Sequence, residues 1–383
     1  MENKRQKTEL ADIFIEHAAD YLNTTKLCLV QKKAYQAITQ CRSASMGGHI
    51  NSCDNCGHNQ QAYNSCRNRH CPKCQFIRKA KWVDKLASNL PATKYFHLVF
   101  TVPHCLNKLF YINQKLTYGA LFKAAGQSLM QCAKNPKYLG AKAGAVSILH
   151  TWGQNLDYHP HIHMIVPAGG LTEDGREWIP SSPNYFLPVK VLSAVFRGIL
   201  LKLLEASFKN DRLKIPAGTH FEQLKQQCYK TKWVVYSEKP FKCPENLINY
   251  LGNYTHRVAI SNQRIMSHQN GKVSFNYKDY RCGGLRKVMS LEAGEFIRRF
   301  MQHVLPEGFC KIRYFGFMSL SNLKQARDDC NHIINKITYF PVLEGLNGME
   351  VYRQLTGKDP VECPKCKTKG MKAVPLPKQK TPG

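Results

Sequence analysis

The chain has 383 residues, 43% of them hydrophobic and 10% aromatic. That excludes a mainly disordered polymer and is enough for more than one core. Lysine and arginine number 55 against 26 acidic residues, a net charge of +29, which points to a polyanionic partner, nucleic acid before a membrane surface.

Sixteen cysteines accompany this charge. The opening MENKRQKTEL has no hydrophobic signal core, and no apolar run approaches the ~20 residues of a membrane helix. A cytoplasmic chain with reduced thiols, clustered for metal rather than disulfides, is therefore expected.

In chain order, residues 1–40 read as a helical segment, with Ile13, Phe14, His17, Tyr21 and then Leu27, Val30, Ala34, Ile38 at helical spacing. Residues 41–82 change character: cysteine, histidine, asparagine and glycine replace the aliphatics, so burial alone cannot hold this module and metal must substitute. From about 91 to 320 the pattern is that of an α+β domain. Strands are expected at 94–103, 145–152 and 161–167, the last two pairing antiparallel across the loop GQNLDYHP. Helices are expected at 106–134, 188–209 and 244–262, a strand at 273–280, and a further helix opening at Ser290. Residues 321–383 form a C-terminal region whose Lys- and Pro-rich end, from about 360, predicts a mobile tail.

Two CxxC pairs, Cys53/Cys56 and Cys71/Cys74, lie about one short hairpin apart and suit a single tetrahedral zinc. Cys41, His49, Cys66 and His70 remain as donors for a possible second site, with His58 in reserve. Four protein ligands leave no position for water, so zinc here is structural. Arg67, Arg69 and Lys73 stand between the ligands and are expected to contact phosphate or bases. Cys363 and Cys366 form half a zinc site with no obvious partners nearby.

In HPHIHMIV, His161 and His163 fall on one face of a strand, about 7 Å apart. They can converge on one divalent ion and leave positions open, as a catalytic metal requires. His150, Gln154, Asp157 and His159 are in reach as a third ligand, and Gln154 is preferred. With an oxygen ligand, Mg²⁺ or Mn²⁺ is the expected ion. Downstream, Tyr250 and Tyr254 stand one helical turn apart among Asn249, Asn253, His256, Arg257 and Arg264. The polar surroundings favour a phosphate-facing helix over a buried stripe. A tyrosine there can attack a phosphodiester, and two allow two covalent ends for strand exchange.

A module ending RNRHCPKCQ, a strand carrying HPHIH, and a helix reading YLGNYTHRVAISN occur in that order. Together they resemble the two-tyrosine rolling-circle transposases of bacterial insertion sequences, within the HUH single-strand endonuclease superfamily. The resemblance covers about residues 10–320 and implies an antiparallel sheet flanked by helices, an RRM-like palm. It further implies a catalytic metal on His161 and His163, nucleophiles at Tyr254 and Tyr250, and a zinc module that recognises an element end. Single-stranded DNA and element-end DNA would be the partners, at the bacterial nucleoid. A plasmid replication initiator with the same chemistry, a histidine-triad nucleotide hydrolase and a non-enzymatic zinc DNA-binding protein are the alternative expectations.

Overall fold

Three short helices begin the described chain: α1 (Leu10–Glu16), α2 (Ala18–Thr24) and α3 (Leu29–Thr39). The computed structural model describes residues 8–184, 186–241, 259–337 and 339–378. The hairpin of β1 (Gly48–Cys53) and β2 (Asn59–Tyr63) follows, then α4 (Phe76–Ala87) and β3 (Tyr95–Thr101). The helix expected at 106–134 is broken into α5 (Asn107–Ile112) and α6 (Gln114–Lys134). The break has a local cause: the Asn113 side chain donates to the Leu109 and Lys214 carbonyls and accepts from the Lys214 N–H.

Strands β4 (Gly144–Trp152) and β5 (Tyr158–Pro167) form the expected hairpin, followed by the small pair β6 (Gly169–Leu171) and β7 (Trp178–Pro180). Next come α7 (Val189–Lys209), α8 (Phe221–Lys230) and β8 (Val235–Phe241). The expected tyrosine helix falls mostly on residues 242–258, outside the described residues. Strands β9 (Ile265–Gln269), β10 (Lys272–Asp279) and β11 (Leu285–Glu292) make a separate antiparallel sheet, and α9 (Ala293–Met301) follows. Ser290 does not open a helix. It still pairs with Ser274, and Glu292 with Lys272, so α9 starts only when the ladder ends. The described chain closes with β12 (Ile312–Gly316), α10 (Leu323–Ile333), α11 (Gly348–Thr356) and β13 (Met371–Leu376). The mobile tail expected from about 360 is thus corrected over its described part: β13 pairs with β1.

The central sheet is antiparallel with strand order β12-β4-β5-β3-β8. Alternation assigns its two faces. Phe96, Leu98, Phe100, Leu149, Ile162 and Met164 pack against residues of α6 and α7, such as Phe122 and Phe196. Tyr95, Val146, Ile148 and Ile165 face the other way, toward Leu86 of α4 and Leu323 of α10. Gly126, in mid-helix, lets Phe315 of β12 lie against α6; a Cβ there would meet that ring at 2.5 Å. Among the described residues no helix is long and apolar enough to cross a membrane.

The β4–β5 turn fixes where the histidines of both strands stand, and α9 with the residues after it holds that turn. Leu156, buried with φ +63°, offers its carbonyl to Gln302 Nε2 at 2.9 Å and to His303 Nε2 at 3.1 Å. Burial pushes His303 down from 6.5 to about 3. Its proton is therefore taken up more readily by the unfolded chain, and stability must fall as pH drops below 6.5. The expected share of His303 is about 1.4 kcal/mol between roughly pH 7.5 and 5.5. Urea unfolding of the parent chain and His303→Gln at both pH values should show that part of the acid loss disappear in the variant.

Candidate metal centre and nucleic-acid interface

The second sheet face carries the histidines. Register places His150 opposite His161 and Ile148 opposite His163 on β4 and β5, with Val99 of β3 beside His163 and Glu238 of β8 opposite His97. One nitrogen from each of His150, His161 and His163 falls in a group whose members lie within 4.8 Å of one another. All three rings are nearly inaccessible, at 3%, 9% and 8% exposure. Trp152 stacks on His150 with ring centres 4.7 Å apart. Gln154, the preferred third ligand from sequence, sits in the turn beyond Trp152, where its backbone carbonyl accepts from Arg264. His150, another of the residues in reach from sequence, stands with the histidine pair.

The hydrogen bonds decide which nitrogens can bind. His161 Nδ1 lies 2.6 Å from the His159 carbonyl, which can only accept, so the proton is on Nδ1 and the lone pair on Nε2. Glu238 Oε2 lies 3.0 Å from His97 Nδ1, and the bond from His97 holds the Glu238 carboxyl below its usual range. An ionised carboxylate requires the His97 proton on Nδ1. In a neutral His97, Nε2 then accepts from His163 Nδ1 at 2.8 Å, which leaves the lone pair of His163 on Nε2. Two lone pairs, His161 Nε2 and His163 Nε2, therefore face each other at 3.0 Å. Such a pair repels unless a cation lies between. An ion about 2.1 Å from each nitrogen would set adjacent donors about 3 Å apart. Burial, with His159 adding to it, pushes His161 down to about 3, so its ring is neutral, the ligating form. The donor set thus fits a divalent ion. Imidazole nitrogens suit a transition ion better than the hard Mg²⁺.

The cysteines are grouped differently from the sequence expectation. Cys41, Cys66, Cys71 and Cys74 form one cluster of sulfurs, and Cys53, Cys56, Cys363 and Cys366 another. Cys53 and Cys56 do not meet Cys71 and Cys74; at the β1–β2 hairpin they face Cys363 and Cys366 instead. His49 lies within β1, and His70 accepts from the Leu305 N–H at 3.4 Å through Nε2; neither joins a cluster. In the first cluster Cys41 and Cys71 are buried among Phe14, Tyr35 and Phe300. Spacing alone suggested that sequential CxxC pairs share an ion; long-range packing decides otherwise.

The basic residues expected on DNA are mostly engaged within the protein. Arg69 donates to the Phe309 carbonyl at 2.6 Å and the Pro306 carbonyl at 2.8 Å. Arg264 donates to the Asn276 carbonyl at 2.8 Å and to that of Gln154. Lys73 pairs with Glu9. These three have partners within the protein, and Arg67 is exposed. Arg257, Tyr250 and Tyr254 lie outside the described residues. Sequence reasoning missed a cavity of about 270 Å³ beside the β5 end, lined by Tyr21, Tyr111, Tyr158, Lys26, Lys108 and Arg298. Rings beside cations in this way suit bases and phosphates of a single strand.

Comparison with known proteins gives the family. A family described as "Putative transposase" matches residues 144–327, and one described as "Transposase zinc-binding domain" matches residues 13–102. A Sinorhizobium fredii protein with the first description, labelled y4qJ, is 42% identical over 372 residues, 94% of each chain. The transposase for insertion sequence element IS801 of Pseudomonas savastanoi pv. phaseolicola is 30% identical over 295 residues, 73% of this chain and 68% of that one. The chain belongs to the IS91-type transposases, enzymes that act on DNA.

Proposed function

We propose that this transposase nicks one DNA strand at an insertion-sequence end and transfers it by rolling-circle-type transposition. A tyrosine hydroxyl, Tyr254 or Tyr250, attacks the scissile phosphorus. The bond from phosphorus to the 3′ oxygen breaks, the 3′ oxygen leaves as a hydroxyl after taking a proton, and a 5′-phosphotyrosine remains. Attack by a target 3′ hydroxyl reverses the step, so no ATP is consumed.

The observation that carries this reading is the pair of opposed Nε2 lone pairs on His161 and His163, with His150 beside them. A divalent ion held there would stabilise charge on the phosphate oxygens. Around it, His163 is oriented by the chain of bonds through His97 to Glu238, and His161 by the His159 carbonyl. The cavity of tyrosines and cations supports single-strand binding by this chain. Cys41, Cys66, Cys71 and Cys74 would hold structural zinc in the end-recognition module. A rolling-circle replication initiator would share the strand chemistry; family membership favours the transposase.

The deciding experiment incubates the full chain with labelled single-stranded end oligonucleotides and Mn²⁺ or Mg²⁺. An adduct that resists SDS is expected, absent in Tyr250→Phe/Tyr254→Phe; no adduct across end-derived substrates would overturn the reading. His97→Ala should weaken Mn²⁺ binding about 10- to 100-fold, as loss of an orienting partner does. Mn²⁺ titration followed by electron paramagnetic resonance would measure this without turnover.

A further inference from the structure

We infer that Cys53, Cys56, Cys363 and Cys366 hold a second structural zinc, closing a zinc ribbon whose two halves come from distant parts of the chain. The two halves have matching backbones. In the first, the Gly57 N–H donates to the Cys53 carbonyl and the Cys53 N–H to the His58 carbonyl, both at 2.9 Å. In the second, the Lys367 N–H donates to the Cys363 carbonyl and the Cys363 N–H to the Thr368 carbonyl, again both at 2.9 Å. Gly57 and Lys367 occupy corresponding positions with φ +65° and +62°. Lysine adopts that conformation at a cost of about 1–2 kcal/mol, so something must favour the turn.

The sulfur positions supply the reason. Cys53 Sγ is 3.6 Å from Cys366 Sγ, and Cys56 Sγ is 3.7 Å from Cys363 Sγ. A tetrahedral zinc with Zn–S bonds of about 2.3 Å spaces its sulfurs about 3.8 Å apart. A disulfide would need about 2.05 Å. Cys53 and Cys363 are almost fully buried, at 3% and 0% exposure.

Apolar burial does not account for this unit. Among the described residues, β1, β2 and β13 contribute nothing to the three hydrophobic clusters. Val374 of β13 is 55% exposed. Yet β13 stays in register with β1 along its length, from Gly48 opposite Leu376 to Cys53 opposite Met371. A sheet this thin is held by metal where it cannot be held by a core. The clip joins residues 307 apart in sequence, and closing so long a loop removes much freedom from the unfolded chain. Cys363 and Cys366 also lie beyond both matched family regions, which end at 102 and 327.

Zinc content of the full chain, by native mass spectrometry and elemental analysis, tests this. Cys363→Ser/Cys366→Ser and Cys53→Ser/Cys56→Ser should each contain one zinc fewer per chain than the parent. The fourfold variant should lose no more than either. Unchanged zinc in the first variant overturns the inference, as does loss of two ions in a fourfold variant that still folds. If the serine variants unfold and lose all metal, Cys366→His decides. Loaded with Co²⁺, it should keep the ion and show weaker thiolate-to-metal absorption than the parent. A spectrum identical to that of the parent would overturn the assignment.

Discussion

His163→Ala is expected to lower phosphotyrosine formation about 10³-fold while oligonucleotide affinity changes by less than about threefold. The loss corresponds to about 4 kcal/mol of transition-state stabilisation, the scale of a Lewis-acid contribution. His163 is the residue through which the Glu238–His97 chain reaches the centre, so its removal deletes a donor and its orientation together. Binding should survive because the cavity and the net charge of +29 are untouched. His159→Ala is the control. Its carbonyl, not its ring, fixes His161, and alanine keeps that carbonyl. Single-turnover cleavage and filter binding on the same preparations separate the two effects. Equal losses in both assays for His163→Ala would show a folding role instead.

Cys71→Ser should open the N-terminal module. Cys71 is fully buried, and its cluster with Cys41, Cys66 and Cys74 lies against Phe14, Tyr35 and Phe300. Zinc binding by such sites is worth about 10–16 kcal/mol in isolated modules, as much as the whole stability of an ordinary domain. Limited proteolysis should then cut within residues 41–82, and end-specific binding should fall more than about tenfold. Treatment of the parent chain with a strong chelator should reproduce both results. A protected module with its zinc retained would mean that this sulfur is not a ligand.

Much of the scaffold was legible because its signals are local. The β4–β5 pairing follows from two apolar runs across a short loop, and α7 from Val191, Phe196, Leu200, Leu203 and Leu204 at helical spacing. His161 and His163 were legible from alternation alone. His97 was not: in KYFHLVFTVP it reads as one polar residue in a core strand, and only the β3–β5 and β3–β8 registers bring it between His163 and Glu238. Glu238 lies in a strand that short-range pattern did not single out. The thiol groupings failed for the same reason. Which CxxC meets which depends on where β13 docks, and that contact spans nearly the whole chain. The charge of Arg69 and Arg264 is visible in a sequence, whereas the backbone carbonyls they bond are not.

The pairing of β13 with β1 sets an order on biosynthesis. During translation the early hairpin emerges hundreds of residues before the strand that completes its sheet. It must wait, with Cys53 and Cys56 unsatisfied, until residues 363–376 leave the ribosome. Premature termination would therefore yield polypeptides that keep the histidine-bearing sheet yet lack a finished amino-terminal module.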